Sequence, residues 1–184
     1  MKIGLVRHFE VAHQPSSNLK LMTPTQLKEW LHEYELSDVK DCLLEPDKGI
    51  WETCYSSDLP RAIKTAQKLF AGEIIETKAL RELPIFPPTN INFKLPVVLW
   101  LFLGRIAWML SHKSQVESKA MLKERVKYIV DEIILKNDQD ILIVSHGFLM
   151  IFLRKELLKQ GFRGPNFKKA VNGEIYVFEQ ETYT

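Results

Sequence analysis

Two short apolar runs constrain the fold of this chain more than any other feature. They are residues 3–6 (IGLV), near the start, and residues 141–144 (ILIV), far downstream. Neither is long enough to read as a helix, and an uninterrupted apolar run of this length suits a strand buried on both faces of a parallel sheet. Each ends in polar residues, Arg7-His8 in the first case and Ser145-His146-Gly147 in the second. In open α/β sheets, ligands sit just beyond the carboxyl ends of the strands. If the two strands are neighbours, their polar ends line one edge.

The rest of the chain alternates in the same manner. After a loop over 9–23, Thr23 and Pro24 open a helix whose apolar face is Leu27, Trp30, Leu31 and Tyr34, with a second short helix after Ser37. EPDKG at 45–49 reads as a turn. A strand over 51–56 leads through Ser57-Asp58 into a helix over 59–70, with Asp58 as its cap. A short strand over 73–77 follows. Residues 83–96 carry Pro84, Pro87, Pro88 and Pro96 and should be irregular. Helices are expected over 95–110, 115–136 and 148–160, and a last strand over 175–179 follows the Asn172-Gly173 turn. Strands alternating with helices predict one domain over 1–184. Its class is α/β, a three-layer α/β/α sandwich on a mostly parallel sheet.

Composition excludes several function classes. The chain has 184 residues, enough for one domain with a full core. Its 25 basic and 23 acidic residues leave a net charge of only +2, which does not point to nucleic acid as a partner. Cys42 and Cys54 lack metal-ligand spacing and form no disulfide framework, so two reduced thiols in a cytoplasmic protein are expected. The apolar start stops at Arg7-His8, which is too short for a secretory signal. Residues 95–110 (LPVVLWLFLGRIAWML) are shorter than a membrane span and are interrupted by Pro96, Gly104 and Arg105. They read as a buried or lid helix, and a face for a homodimer remains open.

The polar ends define a chemistry. If the strands adjoin, Arg7, His8, Arg61 and His146 converge with no matching cluster of carboxylates. Guanidinium forks bind phosphate in a bidentate way, and the helix starting near Gly147 can add backbone N–H groups and its positive end. The pocket is suited to a dianionic phosphoryl group on a small molecule. No ligand set for a metal is visible, and no cofactor is called for.

With those residues in order, the chain resembles the histidine phosphatase superfamily, also called the phosphoglycerate mutase-like family. The matching segments are LVRH at 5–8, SSDLPRAIKTA at 56–66, LRE at 80–82 and ILIVSHG at 141–147. The resemblance implies that His8 is the nucleophile, becoming phosphohistidine before water releases phosphate. It also implies that Arg7, Arg61 and His146 hold the phosphate oxygens, and that Glu82 protonates the leaving oxygen. Neighbouring positive charge should lower the pKa of His8 and keep it neutral, whereas Glu82 needs a raised pKa to act as an acid.

The chain also departs from the family's pattern. Phe9 stands where glycine is usual and is expected to narrow the entrance or stiffen the backbone beside His8. Gln14 stands where an asparagine commonly touches phosphate. PIFPP at 84–88 replaces the usual stretch after the acid, so residues 84–112 form a variable lid or rim, and that apolar rim suggests a leaving group with apolar surface. His13, His32 and His112 read as ordinary surface residues. The reading is a cofactor-independent phosphatase acting on a phosphomonoester. Two alternatives are a mutase that returns the phosphoryl group to substrate and a non-catalytic relative that only binds phosphorylated ligands.

Overall fold

The computed structural model describes residues 1–12, 20–40, 51–136 and 138–180. The turn expected at 45–49 lies outside them. The strands are β1 (Lys2–Arg7), β2 (Leu21–Met22), β3 (Thr53–Ser57), β4 (Ile74–Thr77), β5 (Leu95–Pro96), β6 (Ile141–Ser145), β7 (Phe162–Arg163) and β8 (Ile175–Gln180). The helices are α1 (Pro24–Leu36), α2 (Pro60–Leu69), α3 (Val97–Met109), α4 (Lys119–Tyr128) and α5 (Gly147–Lys159).

Six strands form one sheet in the order β4-β3-β6-β1-β8-β7. The two apolar runs are the neighbours the sequence called for. β1 and β6 pair in parallel, with Ile3 opposite Ile141 and Arg7 opposite Ser145. β3 lies in parallel on the other side of β6, and β4 beyond it. β8 returns antiparallel to β1, so the sheet is mixed but mostly parallel.

Alternation along the two central strands supplies both faces. Ile3, Leu5, Ile141 and Ile143 pack in one cluster with Leu122 and Val126 of α4 and with Leu149, Leu153 and Leu157 of α5. Val6, Leu142 and Val144 pack in another with Ala62, Ala66 and Leu69 of α2 and with Trp51. Burial of each Leu, Ile or Val among them is worth about 1.5–3 kcal/mol. This is the three-layer sandwich: helices cover both faces of the sheet.

Several local expectations are corrected. Asp58 does not cap α2; its carboxylate takes both ends of the Arg81 guanidinium, at 2.5 and 2.7 Å, and Leu59 is the N-cap residue with no side-chain bond. No short helix occupies 37–40. There the chain is extended and pairs with the segment after β1, through Ala12 N–H to Asp38 O (2.8 Å) and Lys40 N–H to Glu10 O (2.7 Å). The expected loop over 9–23 holds β2, which pairs with β5. A two-residue pairing has no periodicity to reveal it. The helix expected over 115–136 starts only at Lys119, where the Ser118 hydroxyl accepts from Met121 N–H, and it finishes as a π-helical turn, Ile129–Ile134. Gln115 is drawn away instead: its side-chain amide bonds Phe86 N–H and Phe86 O at 3.1 and 2.8 Å. The helix at Thr23-Pro24 forms as read, with a reciprocal capping box between Thr23 and Gln26.

Residues 95–110 divide. Leu95 and Pro96 form β5, and α3 buries Val97, Trp100, Ala107 and Trp108 while Val98, Phe102, Met109 and Leu110 stay exposed. Among the described residues no helix is long and apolar enough to cross a membrane.

Two glycines differ in a way that can be measured. Gly161 and Gly173 both have left-handed φ, +87° and +77°. A Cβ on Gly161 meets nothing within 4 Å, whereas one on Gly173 lies 2.7 Å from the Phe9 ring. Gly161→Ala should cost about 1 kcal/mol, the left-handed penalty alone, and Gly173→Ala about 1 kcal/mol more by overpacking. Urea denaturation of both variants checks this, and equal losses would mean that Phe9 yields freely.

Candidate active site

The parallel register of β1 and β6 carries His8 and His146 off adjacent strand ends. Their rings lie 5.0 Å apart, centre to centre, at 58°. Both are enclosed, with 3% of His8 and 1% of His146 exposed. His8 N–H donates to Ser145 O at 3.0 Å, tying the two strand ends together.

The tautomer of His8 follows from its partner. Nδ1 lies 2.7 Å from the backbone oxygen of Phe9, which can only accept, so Nδ1 carries the hydrogen. Nε2 is then left with a free lone pair, as a nucleophile requires. Burial pushes the His8 pKa down to about 3, with Arg61 and then Arg7 adding to the effect and the bond to Phe9 O opposing it. Neutral His8 is as expected, but desolvation outweighs the arginines. His146 is also held well below its usual pKa, again by burial first and by His8, Arg61 and Arg7 after it. Its Nε2 lies 2.9 Å from Ser57 Oγ, while its Nδ1 is buried with no partner.

The arginines are anchored by backbone carbonyls, which leaves part of each fork unused. Arg7 Nη1 donates to Ala170 O at 3.0 Å, and its Nε is buried and unpartnered. Arg61, on the first turn of α2, donates to Tyr34 O (3.3 Å) and Glu35 O (2.9 Å), carbonyls of the last turn of α1. Its Nε too has no partner. Thr65 joins this frame by accepting from Phe9 N–H at 2.9 Å and donating to Arg61 O at 2.7 Å. Asn172 donates to His8 O at 2.7 Å. In the sequence Ser57 and Asn172 read only as strand-end and turn residues and Thr65 only as part of the segment 56–66; their bonding roles depend on partners that only the fold brings near.

Glu82 sits at the start of α5. Its Oε1 accepts from Leu83 N–H (3.0 Å) and Leu149 N–H (3.2 Å), and its Oε2 from Phe148 N–H (3.0 Å). Two of the helix N–H groups expected to face phosphate therefore serve Glu82. Gly147 instead lies against Arg7, whose Nε is 3.2 Å from where a Cβ would stand. The segment leading to Glu82 is held by Arg125, which donates to Ala79 O and Arg81 O at 2.7 and 2.8 Å and pairs with Glu117. Ser145 Oγ adds a bond to Leu80 O at 2.8 Å.

Arg7, Arg61 and Glu82 line one cavity of about 890 Å³. Its lining also includes Trp30, Leu31, Tyr34, Pro84, Ile85, Phe86 and Leu101, together with His32, Glu35 and Arg105 of α3. The apolar rim expected over 84–112 reaches the cavity through Pro84, Ile85, Phe86 and Leu101. Trp100 is buried with its Nε1 on Met22 O (2.7 Å), and Trp108 packs edge-on against Phe148 and Phe152. Phe9 does not narrow the entrance: it is buried in the α2 cluster against Gly173. Gln14, His13 and Cys42 lie outside the described residues. Cys54 is a buried thiol with its pKa pushed up to about 12 by desolvation, so it is inert near neutrality. Among the described residues no group of three or more His, Cys, Asp or Glu side chains could hold a metal.

The depressed histidines have a measurable consequence for stability. Above pH 6.5 both are neutral in the folded and unfolded chain. Below it the unfolded chain takes up protons that folded His8 refuses down to about pH 3. Stability should therefore fall as pH drops from 6.5, by up to about 1.4 kcal/mol per pH unit for each histidine. His8→Asn should reduce that slope by about half, leaving the His146 share, in urea midpoints measured between pH 7 and 5; an unchanged slope would count against a neutral, buried His8.

The geometry agrees with what comparison finds. The histidine phosphatase superfamily (branch 1) profile matches residues 5–184. Among solved structures, the product of a Mycobacterium tuberculosis open reading frame is 18% identical with a TM-score of 0.55, covering 99% of this chain and 92% of that one. A phosphoserine phosphatase from Entamoeba histolytica is 20% identical with a TM-score of 0.53, over 96% and 89%. A mycobacterial glucosyl-3-phosphoglycerate phosphatase is 18% identical with a TM-score of 0.54, over 86% and 79%. No curated protein matches the chain. At these identities the solved structures speak for the fold alone, and the profile speaks for the family: the chain belongs to the histidine phosphatase superfamily.

Proposed function

We propose that the protein is a cofactor-independent phosphatase that hydrolyses a phosphomonoester through a phosphohistidine on His8. The observation that carries this reading is the bond from His8 Nδ1–H to Phe9 O, which leaves Nε2 unprotonated among unspent cationic donors. In the first step Nε2 attacks phosphorus, the P–N bond forms and the P–O ester bond breaks. The electron pair leaves on the ester oxygen, which takes a proton from Glu82. In the second step water attacks phosphorus, its proton passes to Glu82, and the P–N electron pair returns to Nε2. Arg7, Arg61 and His146 Nδ1 hold the phosphoryl oxygens in both steps, where charge stabilisation and positioning supply most of the rate.

One oxygen of Glu82 supports the reading of this residue as the acid. Oε1 accepts two N–H groups, whereas Oε2 accepts one and has a lone pair left to carry the proton. Phosphatase names among the structural relatives support phosphomonoester hydrolysis as the reaction class. A mutase would instead return the phosphoryl group to substrate, and a binding relative would form no adduct.

Quenching in base after brief mixing with an aryl phosphate, followed by mass spectrometry, should show a phosphate adduct on His8 and free phosphate. His8→Ala should abolish the adduct and lower kcat by roughly 10³-fold or more; full turnover in that variant would overturn the reading. Glu82→Gln should slow esters with poor leaving groups by about 10²-fold or more and slow an activated aryl ester far less. Equal losses across leaving groups would remove Glu82 as the acid.

A further inference from the structure

Arg105 differs from the other arginines near Glu82 and the strand ends. Arg7, Arg61 and Arg125 each donate to backbone carbonyls, and Arg81 pairs with Asp58. Arg105 makes no hydrogen bond or ion pair among the described residues, and its Nη1 is buried without a partner. It is the only charge in α3, a helix otherwise apolar along its length.

Its placement is defined by packing. Gly104 brings α3 so close to the segment after Glu82 that a Cβ there would lie 2.4 Å from Ile85 and 3.0 Å from Phe86 O. Arg105 then reaches across to α5, and its guanidinium lies 3.7 Å from the centre of the Phe148 ring. The ring lies against the guanidinium, whose buried Nη1 has no hydrogen-bond partner. Burial opposes the Arg105 charge and Glu82 supports it without bonding to it, since the hydrogen bonds of Glu82 run to backbone N–H groups. A planar, partly desolvated fork without an acceptor is the donor geometry that matches an oxyanion.

The same cavity holds Arg7 and Arg61, and its volume of about 890 Å³ leaves room well beyond one phosphoryl group. Apolar surfaces from Leu31, Ile85, Phe86 and Leu101 line the same cavity. We propose that Arg105 forms a second anion subsite, and that the substrate is a phosphomonoester whose leaving group carries a further oxyanion, a carboxylate or a second phosphate. This rests on the phosphatase reading for the word substrate, but its test does not need turnover.

The test is calorimetric binding of inert alkylphosphonates of three to five carbons, each ending in a methyl, a carboxylate or a second phosphonate. For at least one chain length the wild-type protein should bind an anion-ended ligand about tenfold or more tighter than its methyl-ended counterpart, as expected for a charge-assisted bond. Preference for carboxylate or for phosphonate identifies the oxyanion. Arg105→Gln should bring that ratio close to one, and Arg105→Lys, which keeps the charge and loses the fork, should retain part of it. A wild-type ratio near one at every length overturns the proposal without any variant, as does a ratio unchanged in Arg105→Gln, and no binding at all overturns it as well. Phosphate release from an aryl ester is measured alongside. Release with a ratio of one refutes the subsite alone, whereas selective binding without release refutes the phosphatase and leaves the subsite.

Discussion

The parallel pairing of β1 with β6 is the constraint on which the rest of the site depends. Arg7 opposite Ser145 is the last rung of that ladder, and the next residues, His8 and His146, leave the sheet side by side. A slip of one residue would turn every apolar side chain of a strand to the opposite face. Ile3 and Leu5 belong to one core cluster and Val6 to the other, as do Ile141 and Ile143 against Leu142 and Val144. The hydrophobic pattern that builds both cores therefore also sets which histidine meets which.

Around that edge the protein concentrates positive charge with little to neutralise it. Arg7 and Arg61 are tied by one terminal nitrogen each to backbone oxygens, which orients the guanidinium without cancelling its charge. The histidines answer by staying neutral. Burial is the main reason, since an imidazolium enclosed among arginines would lose solvation and gain repulsion together. Glu35 and Glu82 are carboxylates of the same cavity, and Glu82 is bound to the start of α5 rather than to an arginine. Cationic donors are thereby left for an incoming anion.

Much of this was legible in the sequence because the relevant signals are local. The apolar runs, the Thr23-Pro24 helix start, the proline-rich segment after Glu82 and the order of the polar strand ends all survive translation into structure. Other features were not legible because they join distant residues. Asp58 reads as a cap by position, yet the Arg81 fork offers a stronger partner 23 residues away. Phe9 reads as a gate by its place next to His8, yet the chain turns it into the α2 core. Arg105 was visible as a break in an apolar helix, but only packing of α3 on Ile85 and Phe86 brings it to the cavity.

The sequence by itself determined the strand cores, the side chains at their ends and the family to which they belong, because each of these is written in contiguous residues. The tertiary structure decided which tautomer His8 adopts, which groups Glu82 bonds, and which of the lid residues face the cavity. Those outcomes depend on carbonyls, N–H groups and ring faces contributed by segments far apart in the chain. Their positions are defined only once the sheet is paired and the helices are packed on it.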